Sequence, residues 1–216
     1  MTTVYIIRHA QAQGNVDKVF QGHYDGEITQ LGYQQLDSLA EFCKQLKLDT
    51  IYSSPLFRAQ ETAKAVNRYY GHEIQLHNGL MEIHGGDWEG QKWADFPEKD
   101  PVQNDNWYHH PSRFCAPNGE PMTQVYERVK QTLLQLVADN PNKTIAIISH
   151  GCAISNLLAF IKYRCVDKLN RSDIVDNASV TKAVFDGDYF ELVWQNRADY
   201  LTEELRTTVH QLWNLK

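Results

Sequence analysis

Two periodicities alternate along this chain. Short runs rich in Val, Ile and Tyr, at Val4 to His9, Thr50 to Ser53, Glu73 to Leu76 and Thr144 to Ser149, predict buried strands. Between them the apolar spacing turns helical. Leu36, Leu39, Ala40, Cys43 and Leu46 fall on one face of a helix starting near Thr29. Ser54 and Pro55 read as N-cap and first residue of a second helix that buries Leu56, Ala59, Ala63 and Val66. A third helix is expected over Met122 to Ala138, and a fourth just after Gly151. Ser179 to Phe185 and Tyr189 to Trp194 flank Asp186-Gly187-Asp188, which predicts a hairpin ending the sheet. Asp199 to Trp213 reads as a final amphipathic helix. Strands alternating with helices in this way predict an α/β fold, a mainly parallel central sheet covered by helices on both faces.

Asp95 to Pro121 breaks the pattern. It holds five of the seven prolines together with Trp107, Tyr108, His109 and His110, and has no clear periodicity. A long, ordered, lid-like loop is expected there, inserted into a single domain spanning 1–216.

Composition narrows the function. The 216 residues are 42% hydrophobic, enough for one continuous core. A net charge of −6 argues against nucleic acid as a partner and requires any anionic ligand to be drawn by a local cluster of Arg and His. Cys43, Cys115, Cys152 and Cys165 are widely spaced, as in a protein with reduced thiols. The apolar run at the N-terminus is too short for a signal peptide and nothing approaches a membrane span, so a cytoplasmic location is expected. The oligomeric state is left open, a homodimer included.

Candidate chemistry sits at strand ends. Val4 to Ile7 leads into Arg8-His9, and Ile145 to Ile148 into Ser149-His150-Gly151. Ligands bind at the carboxyl ends of parallel strands, so both histidines point to one crevice. One such histidine alone would more often be a satisfied core residue; two at matched positions shift that balance. Arg58 lies in a helix's first turn, where its charge opposes the macrodipole unless an anion is near, although pairing with Glu61 or another surface carboxylate explains it equally well. Arg8, Arg58, His150 and the N–H groups opening the Gly151 helix would together suit a phosphate.

At this point the chain resembles the histidine phosphatase superfamily, which includes the cofactor-dependent phosphoglycerate mutases. The family's opening R-H-G-E-T-x-x-N is similar to Arg8-His9-Ala10-Gln11-Ala12-Gln13-Gly14-Asn15, followed by Gln21-Gly22 and Leu31-Gly32. Ser53-Ser54-Pro55-Leu56-Phe57-Arg58-Ala59, Leu80-x-Glu82-x-x-x-Gly86-x-x-Glu89-Gly90 and Ser149-His150-Gly151 resemble the other three motifs, in family order from about Val4 to about Phe185. The resemblance implies a phosphoglycerate mutase-like sandwich and an acid-phosphatase-type phosphomonoesterase needing no metal or cofactor. It implies His9 as nucleophile, Arg8, Arg58 and His150 on the phosphoryl oxygens, Glu82 as proton donor, and phosphate contacts from Asn15, Gln21, Gly22 and Gly151. The substrate would be a small phosphorylated metabolite. Leu80, Met81 and Ile83 predict a partly apolar setting for Glu82, while Glu89 is expected to close a turn or salt bridge beside Gly90. Two departures stand out: Ala10, Gln11 and Ala12 replace Gly, Glu and Thr after the nucleophile, and Pro121 replaces the usual Ser, removing a hydroxyl cap from the next helix.

Other readings are weaker. Glu82, His84, Asp87, His109 and His110 match no metal-site spacing. Gly85-Gly86 lacks the Lys and Ser/Thr of a P-loop, and Cys152 reads as a buried helix residue rather than a nucleophile. Mutases carry a longer insertion after the Glu motif that keeps water away; about thirty residues separate Gly90 from Met122 here, which favours hydrolysis over isomerisation. A non-catalytic phosphate binder would be expected to have lost some of His9, Arg58, Glu82 or His150, and all four are present.

Overall fold

The alternation of strand and helix produces a six-stranded sheet in the order β3-β2-β4-β1-β5-β6. A computed structural model describes residues 1–171 and 174–207. The strands are β1 (Thr2–Arg8), β2 (Thr50–Ser53), β3 (Ile74–Leu76), β4 (Thr144–Ser149), β5 (Val180–Phe185) and β6 (Phe190–Arg197). The first four run parallel, while β5 pairs antiparallel with β1 and β6 with β5, so the hairpin closes one edge as its Gly-containing turn predicts. The expected buried strand at Glu73 is instead a three-residue edge strand with Gln75 and Leu76 exposed.

The period-two pattern of the central strands divides the core. Val4, Ile6, Ile145 and Ile147 face one layer, built by α6 (Met122–Asp139) and α7 (Gly151–Tyr163). Tyr5, Ile7, Ala146 and Ile148 face the other, built by α2 (Gln30–Cys43) and α3 (Phe57–Val66). Both faces are covered because both sides of the parallel strands are apolar. Short α1 (Gln13–Val16) follows β1. Thr29 caps α2 by accepting from Gly32 N–H, whereas Pro121 leaves α6 without a side-chain cap.

Three expectations require correction. The helix at Ser54-Pro55 starts later, at Phe57, because the Ser54 hydroxyl is drawn into the site, 2.7 Å from His150 Nε2. The segment at 95–121 is no continuous loop: it contains α4 (Phe96–Lys99) and α5 (Pro101–His109), each with Pro in its first turn, and Asp100 caps α5 by accepting from Gln103 N–H at 3.2 Å. Its aromatic side chains bury into the core, with Trp88 and Phe96 stacked at 3.7 Å and Trp107 and Phe114 edge to face at 4.8 Å. Of the predicted helix Asp199 to Trp213, residues up to Thr207 form only a single 3-10 turn at Glu203–Leu205, and the remainder lies outside the described residues. Tyr200 is committed there to stacking on Phe42 at 4.4 Å and to donating to Ala178 O, contacts a continuous helix would not preserve. No helix among the described residues is long and apolar enough to cross a membrane.

Leu133 on α6 is fully buried. Leu133→Ala is expected to lower the unfolding free energy by about 2–5 kcal/mol in a urea titration. Val102→Ala, at an exposed position, is expected to stay within about 0.5 kcal/mol.

Candidate active site

Register brings the two histidines together. Arg8 pairs with Ser149 across β1 and β4, so His9 and His150 leave adjacent strands at the same level, and His9 N–H donates to Ser149 O at 3.0 Å. Their rings lie 5.2 Å apart, centroid to centroid. The neighbouring end of β2 supplies Ser54 against His150. His9 Nδ1 is 2.7 Å from Ala10 O, and since a carbonyl only accepts, Nδ1 carries the proton and Nε2 the lone pair.

Two arginines flank this pair. Arg8 is 4% exposed and Arg58 1%. Arg8 Nη1 donates to Val175 O at 2.6 Å; Arg58 donates to Tyr24 O at 3.2 Å, to Gly22 O at 2.7 Å and to Asp25 Oδ1 at 3.1 Å. Each guanidinium keeps its Nε buried without a hydrogen-bond partner, as does His150 its Nδ1. Such orphaned groups are costly and are what an anion would satisfy. Asp25 also accepts from Phe57 N–H at the start of α3, so it caps the helix while holding Arg58. Asp25 therefore settles the helix-dipole conflict; Glu61 pairs with Lys64 instead.

Burial and like charge keep the histidines neutral. His9 is held well below the usual histidine value, first by burial and then by Arg58 and Arg8, with its bond to Ala10 opposing. His150 is lowered in the same way, by burial and then by Arg58, His9 and Arg8. Burial also lowers Arg8 to about 10, which leaves it charged at neutral pH.

A cleft of about 540 Å³, open mouth included, has eight of the nine predicted residues in its walls: Arg8, His9, Asn15, Gln21, Gly22, Arg58, Glu82 and Gly151. His150 stands behind His9, with no exposed surface. Gly22 adopts φ +54°, and a Cβ there would come within 2.3 Å of Glu89 Oε1, so this tight passage requires glycine. Glu89 forms no salt bridge; its carboxylate accepts from the N–H groups of His23, Tyr24 and Gly85, tying the Gly22 loop to the turn after Glu82.

Glu82 differs from expectation. In place of an apolar setting, its carboxylate accepts from Ile83 N–H at 3.0 Å, Cys152 N–H at 3.0 Å and Ala153 N–H at 2.9 Å. The start of α7, expected to offer these N–H groups to a phosphate, spends two of them on Glu82. Arg128 on α6 holds the same segment by its backbone, donating to Gly79 O and Met81 O while its Nε and Nη2 grip Glu120. Cys152 lines the cleft as a thiol pushed well above its ordinary value by burial, in keeping with a buried helix residue. Glu82, His84, Asp87, His109 and His110 make no metal-holding group; among the described residues no three His, Cys, Asp or Glu do.

Asn177 escaped the sequence, as did the bonds made by the motif residues Thr62 and Ser149. Asn177 Nδ2 donates to His9 O at 3.1 Å, Thr62 Oγ1 accepts from Ala10 N–H at 3.0 Å, and Ser149 Oγ donates to Leu80 O at 2.7 Å. Asp25 and Asn177 sit in loops and carry no periodic signal. Val19, Phe20, Ile83, Trp93, Trp107 and Ile174 complete the cleft walls.

An α/β sheet that presents a neutral histidine between two buried guanidiniums at the carboxyl ends of its central strands belongs to the class of phosphate-handling folds. Residues 4–198 match the model of the histidine phosphatase superfamily (branch 1), and the chain belongs to that family. It is 30% identical over 198 residues to "Putative phosphoserine phosphatase 2" of Hydrogenobacter thermophilus, covering 91% of this chain and 96% of that one. Among solved structures, Bacillus stearothermophilus YhfR superposes with a TM-score of 0.88 at 29% identity, over 93% of this chain and 99% of that one. The His9-to-Ala mutant of Entamoeba histolytica phosphoserine phosphatase in complex with phosphoserine superposes with a TM-score of 0.84 at 27% identity, over 94% of this chain and 100% of that one.

The neutral histidines give stability a defined pH dependence. Their native values lie below the unfolded value of about 6.5, so the unfolded state binds more protons and stability is lost as pH falls below that point. Together they are expected to lower stability as pH falls from 8 to 5.5, measured by urea titration in phosphate-free buffer, and His9→Asn should make the slope shallower. A profile identical in the variant would show that His9 is not held neutral.

Proposed function

We propose that this chain hydrolyses small phosphate monoesters through a phosphohistidine on His9, without a metal, and that residues 1–216 act as one domain in which the 95–121 segment walls the pocket. The observation that carries this reading is the Nε2 lone pair of His9, fixed by the Nδ1 bond to Ala10 and set between two buried guanidiniums that keep unpartnered N–H groups.

Phosphoryl transfer demands position and charge neutralisation more than covalent chemistry. Arg8 and Arg58 receive the non-bridging oxygens, with His150 behind His9 holding an unpartnered Nδ1 towards them, and Asn15, Gln21, Gly22 and Gly151 shape the space around them. His9 Nε2 attacks phosphorus, the ester P–O bond breaks, and Glu82 gives a proton to the departing alkoxide. Water then attacks the phosphohistidine, its proton passes to Glu82, and inorganic phosphate leaves with His9 neutral again. A histidine held neutral is ready to attack without a separate base. The relatives named for phosphoserine support a small phosphorylated metabolite as substrate.

Phosphate release from an aryl phosphate is expected to survive excess EDTA and to fall by at least about 10³-fold in His9→Ala. Glu82→Gln should slow alkyl esters at least about tenfold more than aryl esters, whose leaving groups need no proton. With 3-phosphoglycerate, phosphate should appear whether or not 2,3-bisphosphoglycerate is added; isomerisation without release would make the chain a mutase.

A further inference from the structure

Resting on the phosphatase reading, we infer that the same cleft contains a leaving-group subsite shaped for a flat apolar ring. The ionisable groups among its described walls, Arg8, neutral His9, Arg58 and Glu82, gather where the phosphoryl group is placed. Beside Asn15, Gln21, Gly22, Gly151 and Cys152, the rest of the wall is apolar: Val19, Phe20, Ile83, Trp93, Trp107 and Ile174. Three of its rings interlock, with Phe20 4.9 Å from Trp93 and 5.5 Å from Trp107, and Trp93 5.2 Å from Trp107. The backbone fixes them. Phe20 N–H donates to Gln91 O and Gly90 N–H to Phe20 O, both at 2.8 Å, and Trp93 N–H donates to Lys18 O at 3.0 Å.

A preformed aromatic wall loses little entropy on binding and rewards flat apolar surface over hydrated surface. Trp93 is only partly buried and is the wall residue with most ring left to cover. A leaving group such as a benzyl or heteroaromatic alcohol would cover it, whereas the charged amino and carboxylate groups of a phosphoserine would have to shed water against it.

Benzyl phosphate, O-phosphoserine and 3-phosphoglycerate separate the alternatives, since all three are alkyl esters with similar need for protonation. The kcat/KM for benzyl phosphate is expected to exceed the other two by at least about tenfold. Trp93→Ala should shrink that preference at least about fivefold through KM, Trp93→Phe should keep it, and the inhibition constant of inorganic phosphate should move less than about twofold in either. Equal or greater turnover of phosphoserine by wild type, or a Trp93→Ala loss shared equally by all three esters, would overturn the subsite while leaving the phosphatase reading intact. Absence of His9-dependent turnover on every ester would overturn the phosphatase reading itself.

A separate network points to Arg128 as a positioning residue for Glu82. Its side chain donates to Gly79 O at 3.1 Å and Met81 O at 2.9 Å, just before Glu82, and is held by both oxygens of Glu120, which also accepts from His84 N–H just after it. Arg128 and Glu120 are 22% and 9% exposed at their side chains, so the clamp is largely shielded from water. One guanidinium therefore sets the backbone path on both sides of the acid without touching the cleft.

Arg128→Met is expected to lower kcat for benzyl phosphate at least about tenfold more than for 4-nitrophenyl phosphate, with KM little changed, and to add little in a Glu82→Gln background. Arg128→Lys, which keeps the charge but not the fork, should show the same leaving-group bias in a milder form. Equal losses on both esters in the two variants would reduce Arg128 to a structural residue.

Discussion

Arg8 and Arg58 carry two positive charges into an interior that would otherwise exclude them, and the loops around the cleft are arranged by the need to receive them. Burying a guanidinium is tolerable only when carbonyls, carboxylates or a bound anion take up its donors. Val175, Tyr24 and Gly22 turn carbonyls inward to do so, and Asp25 adds a carboxylate that also caps α3. The receiving shell stops short of completion, since both Nε groups remain unmet. Burial first, and then these same charges, hold His9 and His150 neutral.

On the other side of the cleft the carboxylate of Glu82 is fixed from two directions. The start of α7 donates to its oxygens, while α6 reaches its backbone through Arg128. These are the two helices that cover one face of the sheet, so packing in that layer is transmitted directly to the Glu82 carboxylate. The loop holding Gly22 is anchored to the Glu82 turn by Glu89, which joins the two sides of the cleft.

The central strands and both histidines were legible because an apolar run ending in a charged or titratable residue is a strong local signal. Arg58 was legible through its conflict with the helix dipole, although the partner that resolves it, Asp25, was not, because a loop carboxylate has no spacing to betray it. The helices of 95–121 were hidden by prolines that here start helices rather than break them, and by aromatic residues that bury without helical periodicity. The apolar environment expected of Glu82 followed from its chain neighbours, whereas the N–H groups that surround it come mainly from a helix about seventy residues away. At the C-terminal end, Tyr200 was claimed by Phe42 and Ala178, an override of local propensity by tertiary contact.

The position of β1 has a consequence for how the chain comes into being. It precedes every other strand described, yet it lies between β4 and β5, whose first residues are Thr144 and Val180. Thr-Val-Tyr-Ile-Ile must therefore stay unpaired, with both faces apolar, until most of the chain has been made. His9 at the end of β1 therefore meets His150 only once β4 is available to pair with β1.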